Sequence, residues 1–593
     1  MRLVHKRLIA LFIAVLLAAN AHPHIAYATA FPSDGGSSSH LTNTPSSAQN
    51  SQSNYEKAID LKILGLLANK PADFELDRIP TRAEGTVMLI RLLGIENKVK
   101  QGSYSHPFTD VPAWANNYVG YAYQNGIAKG TGSKTFGADE PMSARQYVTL
   151  VLRAMGYADN IDFSYDNVLE KACDIGLLSV SELKDLENRS GFLRNDLVAV
   201  SYNALKTKIN GSSRTLAEKL TDTDKAVFRP AAELVGLYPS EFQKQYGNAS
   251  SFLPRKTGSG YLIKNKKDLV RILTKTFSNY NSSLDLDVSD YTGDITRDFK
   301  KAVSAAIEWA EEITGVRDIL TSWEYVCRGD CLNVKLKYRY AESEFEARKA
   351  RAAAALNKAR YIVANNVSAN MTEFEKEKVL HDYIVRNARY NYKNYINGTL
   401  PDEAYEEYGC LVSGSPVCEG YARGMKLLCD LAGIECMLIT GREADTTDPQ
   451  GHIWNIVKID GDYYHLDVTN DDAITSDGIE RPTYRYFNLT DSDMAKSYIW
   501  SRTSYPACTS IKNNYYYRYG LLADSREDFD MALAEALKKR STAIELRVAD
   551  YSKSKYSNFA DVIFKSNVVT KYRYMIIDKL GIISIFDIKY SDQ

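Results

Sequence analysis

Long apolar runs are missing from this sequence once its N-terminus is passed, so nothing later in it reads as a membrane-spanning helix. An excess of either charge is missing too. Against 73 Lys and Arg stand 74 Asp and Glu, with both signs mixed along the chain. That balance removes the electrostatic case for a nucleic-acid partner. Eight cysteines are present, at 173, 327, 331, 410, 418, 429, 436 and 508, but none has the paired C-x-x-C spacing of a structural zinc site. Asp445, Asp448, Asp471 and Asp472 are scattered without EF-hand spacing, so calcium is not expected. No metal and no cofactor follows from this inventory.

At 593 residues the chain exceeds what one core holds, and three or more domains are expected. Arg2, Lys6 and Arg7 precede a short apolar run, Leu8–Ala19, with small-residue sites at Ala19-Asn20-Ala21 and Ala28-Thr29-Ala30. Residues 1–30 therefore read as an export signal, the alternative being an uncleaved anchor, for which the run is short. Residues 31–53 are Ser/Thr/Asn/Gly-rich and read as a flexible spacer. Export permits disulfides. Cys327 and Cys331 flank Arg328-Gly329-Asp330 between two strand-like runs, where they could face each other across a hairpin and bridge, a pairing the sequence leaves open. The Arg-Gly-Asp tripeptide itself reads as a solvated turn.

Between Tyr55 and about Leu220 a pattern recurs three times. Each copy has a helix that ends in a Gly-apolar step: Gly65-Leu66, Gly126-Ile127 and Gly176-Leu177. An arginine then opens a second apolar helix: Arg82, Arg145 and Arg194. The middle copy adds Asp110 and Trp114. These copies resemble S-layer homology repeats, most closely at Thr81-Arg82-Ala83-Glu84 and more loosely at Ser143–Gln146 and Leu193–Asp196. The resemblance implies an all-α, trimer-like module over 54–220 (about 54–97, 104–158 and 160–220) that holds an anionic secondary polymer or peptidoglycan-associated polysaccharide of a Gram-positive-type wall. Arg82, Arg145, Arg194, Asp110 and Trp114 are its candidate polymer-binding residues. A guanidinium suits bidentate capture of carboxylate or phosphate, whereas the plainer reading has each arginine serving its own helix.

Residues 221–257 read as a connector. A second internal similarity follows. Gly260-Tyr-Leu-Ile, Asp268-Leu269 and Leu284–Tyr291 are echoed by Gly520-Leu-Leu, Asp528-Phe529 and Ile544–Tyr551, each echo leading through a helix to two strands. Two related α+β modules, 258–341 and 515–593, are therefore expected on either side of 342–505. Glu342–Asn366 reads as a long solvated helix, and Thr372-x-x-Glu375 as a capping box opening Glu373–Asn387.

Cys418 follows Ser-Gly-Ser-Pro and Val417, and Tyr421, Ala422, Met425, Leu428, Cys429 and Ala432 then recur at helical spacing up to Gly433. A cysteine at a helix N-terminus has its thiolate stabilised by the partial positive charge there. Further on, Asp460-Gly461 separates two alternating runs, a two-residue hairpin signal. That turn pairs Ile459 with Asp462, Trp454 with Asp467 and His452 with Thr469, which puts His452 and Asp467 on one face as diagonal neighbours. Cys418 as nucleophile, His452 as base and Asp467 as its orienting acid form a coherent set for acyl transfer. His465 and His381 read as structural.

Roughly Glu373–Leu489 resembles the transglutaminase-like, papain-related superfamily, whose Cys, His and Asp motifs fall on Cys418, His452 and Asp467. The resemblance implies a cysteine-bearing helix packed on an antiparallel sheet. The whole reads as a multidomain protein, secreted to the cell surface or wall, acting on protein or peptide amides by hydrolysis or cross-linking. The alternative is a catalytically inactive surface protein of the same fold, with a structural or ligand-binding role.

Overall fold

The three helices that open on Arg82, Ala144 and Arg194 start by one chemical rule. Thr81 caps Arg82–Leu92, its hydroxyl accepting from Glu84 N–H while the Glu84 carboxylate accepts from Thr81 N–H at 2.8 Å. Ser143 and Gln146 do the same for Ala144–Ala154. Leu193 has no side-chain oxygen, but Asp196 still accepts its N–H at 2.9 Å. Each reciprocal bond satisfies helix N–H groups that lack an intrahelical partner. The helix stops agree as well. Leu66, Ile127 and Leu177 each donate to a carbonyl five residues back, at 2.8 Å. The glycines between, 65, 126 and 176, take φ of 74°, 69° and 76°. A fourth such stop, at Gly236-Leu237, falls in the stretch expected to be a plain connector.

The structure, a computed structural model, describes residues 53–444, 451–472 and 483–591. The signal segment, nearly all of the spacer, and Asp445 and Asp448 lie outside those residues. The described residues belong to one unit, and none of their helices is long and apolar enough to cross a membrane.

Among the described residues, three sheets follow the helical third. The first joins β1 (Lys256–Thr257), β2 (Gly260–Leu262), β3 (Ser283–Asp287), β4 (Leu320–Arg328) and β5 (Cys331–Tyr338) in the order β1-β2-β3-β5-β4. The second joins β6 (Cys436–Glu443), β7 (Gly451–Ile459), β8 (Asp462–Leu466) and β9 (Tyr498–Trp500) as β8-β7-β6-β9, wholly antiparallel. The third joins β10 (Leu522–Ala523), β11 (Ile544–Val548), β12 (Val569–Ile577) and β13 (Ile582–Tyr590) as β10-β11-β13-β12. In the first and third sheets a short strand pairs parallel with the next, which pairs antiparallel with the last strand in sequence.

The β4–β5 hairpin decides against a bridge between Cys327 and Cys331. Its loop is only Gly329-Asp330, because Arg328 pairs with Cys331 and Cys327 with Leu332. One residue of register turns a side chain to the other face. Cys327 and Cys331 therefore point to opposite sides, and both are free thiols.

The middle sheet packs one face against the helix Cys418–Ala432, through Val457, Tyr464 and Leu466. Its other face, through Ile439, Trp454 and Ile456, meets Ile582 of the third sheet and Leu580 of the turn that precedes it. Nor is Glu342–Asn366 simply solvated: Ala355, Ala359, Arg360 and Ile362 are buried. Arg360 there meets Asp60 of Asn54–Ile63 at 2.5 Å, 300 residues away in sequence.

Candidate functional site

The helix Cys418–Ala432 begins at the cysteine, with Val417 as its extended cap residue, and ends at Gly433 with φ 83°. Ile434 N–H returns to Cys429 carbonyl at 2.9 Å. Two glycines let the preceding chain come close. A Cβ at Gly420 would sit 2.5 Å from the Ala404 carbonyl oxygen, and one at Gly424 2.7 Å from Cys410 Sγ. Cys410 is thus a buried wedge against this helix. Cys429 is fully buried, whereas Cys418 is half-buried and unbridged.

The hairpin adopts the expected register, with Ile459 opposite Asp462 and Asn455 opposite Leu466. Asp460 and Gly461 take φ of 51° and 88°, as a two-residue turn between twisted strands requires. Pairing stops at Leu466, so Thr469 does not oppose His452. Instead Asp467 caps a single helical turn, Val468–Asp471. Leaving the ladder still keeps Asp467 beside the histidine: His452 Nε2 is 2.8 Å from Asp467 Oδ2.

Asp467 is 1% exposed. Its Oδ2 also accepts Asn470 Nδ2 at 2.7 Å, and the same amide reaches Tyr498 Oη at 2.6 Å. The Tyr498 ring stacks on His452, centroids 4.8 Å apart and 14° from parallel. With Nε2 committed to Asp467, Nδ1 is the nitrogen left for the thiol. Burial alone would lower the His452 pKa. The Asp467 charge and hydrogen bond, and then a hydrogen bond and charge from Cys418, outweigh it and raise the value to about 10. The arrangement can store a proton on the imidazole next to a sulfur nucleophile.

Asn470 and Tyr498 were not singled out in sequence. Asn470 stands one helical turn past Asp467, a spacing that a carboxylate cap would have signalled; Tyr498 comes from a distant strand and carried no signal.

His381 and His465 are each held by buried polar contacts. His381 is buried between Asp382 and Asp471, each at 3.2 Å. Burial would lower its pKa, but those two carboxylates raise it to about 9. His465, Asp491 and Cys508 come together in a way that suits a metal ion. Yet Trp454 Nε1–H donates to His465 Nδ1 at 3.0 Å, which places the ring proton on Nε2, 2.8 Å from Asp491. A ring so bonded offers no free lone pair to a cation.

In the helical third, Arg82 and Arg194 dock alike. Arg82 N–H donates to Glu140 carbonyl and Arg194 N–H to Arg78 carbonyl, at 2.9 and 2.8 Å. Arg82 Nε donates to Phe136 carbonyl and Arg194 Nε to Phe74 carbonyl, both at 2.9 Å. Arg82 is buried, its Nη2 on Lys129 carbonyl at 2.7 Å. Arg145 donates to the Asp166 carbonyl. Asp110 accepts the N–H groups of Phe136 and Gly137 at 2.7 and 2.6 Å, bracing the loop that Arg82 grips. Trp114, 55% exposed, shares with Arg78, Arg91 and Arg194 a groove of about 420 Å³. Of the five candidate polymer ligands, the structure brings Arg194 and Trp114 to one groove; Arg82, Arg145 and Arg194 each bond a neighbouring copy, and Asp110 braces a loop within its own.

Residues 360–468 match the transglutaminase-like superfamily, a span that includes Cys418, His452 and Asp467. Residues 107–143 match the S-layer homology domain, a span that includes Asp110 and Trp114. These are the two families that the motifs resembled. Among similar proteins, a middle cell wall protein of Brevibacillus brevis is 25% identical over 201 residues, covering 33% of this chain and 19% of that one. A cell surface protein of Thermoanaerobacter kivui is 35% identical over 108 residues, 18% of this chain and 14% of that one. A surface layer protein of Brevibacillus choshinensis is 29% identical over 121 residues, 20% and 11% respectively. The chain thus spans under a fifth of the length of these curated relatives. Among solved structures, a TGase is 11% identical at a TM-score of 0.18, over 34% of this chain and 53% of that one. A cysteine protease described as putative, from Cytophaga hutchinsonii, is 13% identical at 0.15, over 25% and 61%.

Proposed function

We propose that this protein is an exported, wall-anchored cysteine enzyme that acts on peptide or protein amides. The observation that carries the reading is the meeting of a half-buried, unbridged Cys418 at a helix start with an imidazole that is hydrogen-bonded to a buried carboxylate. Cys418 sulfur attacks the amide carbonyl carbon, and His452 holds the thiol proton. The same proton passes to the departing amine as the C–N bond breaks, leaving a thioester. Water or a second amine then attacks the thioester, with His452 taking its proton and Cys418 recovering its thiol. Asp467 stabilises the charged imidazole throughout, and Asn470 and Tyr498 keep the carboxylate and the ring in place. The Cys418 N–H, at the helix start, is the candidate donor to the carbonyl oxygen as it becomes an anion.

Anchoring is assigned to the helical third. Its support is the match to the S-layer homology domain, the wall and surface names of the relatives, and a groove that offers Arg194 and Trp114 together. The N-terminal signal-like sequence accounts for export. The two flanking α+β segments, alike in strand order, are assigned a supporting role around the cysteine domain.

The test is direct. The full-length protein and its Cys418→Ala variant are compared for release of ammonia or amine from glutamine-containing and wall-derived peptides, and for incorporation of a labelled amine. Wild type is expected to turn over at least one substrate class and the variant none. Equal behaviour of the two across the panel removes the enzymatic reading and leaves the inactive surface protein.

A further inference from the structure

Cys418 and the His452–Asp467 pair belong to separate elements, and apolar packing between those elements is non-directional. Something polar has to hold the thiol and imidazole in register, because catalytic geometry tolerates only about 0.5 Å of play. One carboxylate is placed to do so. Asp472, five residues past Asp467, has a side chain only 5% exposed. Its Oδ2 accepts the hydroxyl of Tyr421, which is fully buried one turn past Cys418 on the cysteine helix. Its Oδ1 lies 3.4 Å from Arg389 Nη1.

Arg389 in turn braces the approach to the cysteine. Its N–H donates to Gly414 carbonyl at 2.9 Å, and Asn391 N–H donates to Pro416 carbonyl at 2.8 Å. On the other side, Asp472 N–H bonds Val468 carbonyl at 3.1 Å, closing the short turn that Asp467 caps. Asp471 points elsewhere, to His381. The Asp472 carboxylate therefore reaches the cysteine helix through Tyr421 and the turn before it only by way of Arg389, while the Asp472 backbone closes the segment that carries Asp467. The Tyr421 bond, a hydroxyl on a charged acceptor, is of the short, strong and directional kind.

We propose that Asp472, acting through Tyr421 and Arg389, is a positioning residue that sets the separation of the Cys418 thiol from the His452 imidazole. The proposal rests on the Cys418–His452–Asp467 reading above. It gives Asp472 no contact with substrate, and a role distinct from that of Asp467, which bonds the imidazole itself.

The experiment uses the full chain and needs no substrate. Alkylation of Cys418 by iodoacetamide is followed by peptide mapping from acidic to alkaline pH. An imidazole-assisted thiol reacts below the ordinary thiol range, and His452→Ala should abolish that low-pH limb. Tyr421→Phe and Asp472→Asn should lower it by about tenfold to 100-fold, the cost of an ångström-scale misplacement, with helix content unchanged. Asp472→Glu should recover part of it. If both variants fold and keep the low-pH rate within about twofold of wild type, the positioning role is refuted. If wild type and His452→Ala share one profile, the site reading itself fails and takes this proposal with it. Tyr421→Phe removes a single oxygen, so it decides the matter should Asp472→Asn lose its fold.

Discussion

Arg360→Ala should destabilise this protein more than Asp60→Ala, although the two residues are partners. Asp60 is 1% exposed and Arg360 9%. Arg360 Nε and Nη2 both donate to Asp60 Oδ1, at 2.9 and 2.5 Å. Nη2 also reaches Glu56 carbonyl at 3.2 Å, and Nη1 lies 3.2 Å from the Glu56 carboxylate. Breaking a buried pair costs about 3–5 kcal/mol, because one charge is left without its counter-charge. The two truncations differ in what they strand. Without Arg360, Asp60 stays buried with its guanidinium gone, keeping the Tyr202 hydroxyl and the more distant Lys206 charge. Without Asp60, the guanidinium still has Glu56, so the loss should fall at or below about 3 kcal/mol. Replacing both, as Asp60→Leu with Arg360→Met, should be neutral within about 1–2 kcal/mol, since neither charge then pays desolvation. Scanning calorimetry should show Arg360→Ala lowered by about 3–5 °C and the double variant close to wild type. Equal melting of the two single variants, or a cost below about 1 kcal/mol for Arg360→Ala, would refute the claim that this contact is a buried ion pair joining the helical third to the cysteine domain.

Asp467→Asn should keep the shape of the site and remove its charge. His452 then falls from about 10 toward a value set by burial, which lowers it. Thiol reactivity near neutral pH should drop by about 100-fold or more, at tenfold for each pKa unit lost. Stability should change its pH dependence as well. A histidine raised above its ordinary value of 6.5 adds stability that is complete below that value and is lost as pH climbs toward 10. Thermal melts of Asp467→Asn should lack that decline. In the helical third, Trp114→Ala combined with Arg194→Ala in the full chain should weaken sedimentation with purified wall sacculi by about tenfold or more, the usual effect of removing an aromatic and an arginine anchor. Unchanged sedimentation would move the anchor away from this groove.

What the sequence by itself determined was local. The reciprocal caps at Thr81 and Ser143, the glycine stops at 65, 126, 176 and 433, and the Asp460-Gly461 turn were legible because each is settled within a few residues by hydrogen-bond supply and allowed φ. The turn carried further, since two residues at positive φ set a register that brought His452 toward Asp467. At Gly329-Asp330 a loop of two residues instead of three turns Cys327 and Cys331 to opposite faces. Only the tertiary structure decided which distant groups take up polar atoms that the chain must bury. Arg82 ends on a carbonyl 54 residues away and Arg194 on one 120 away. Asp472 meets Tyr421, and Arg360 meets Asp60. Composition and spacing show that an arginine or aspartate is present. The partner that satisfies it follows from packing, because a buried charge takes whichever counterpart the assembled fold delivers.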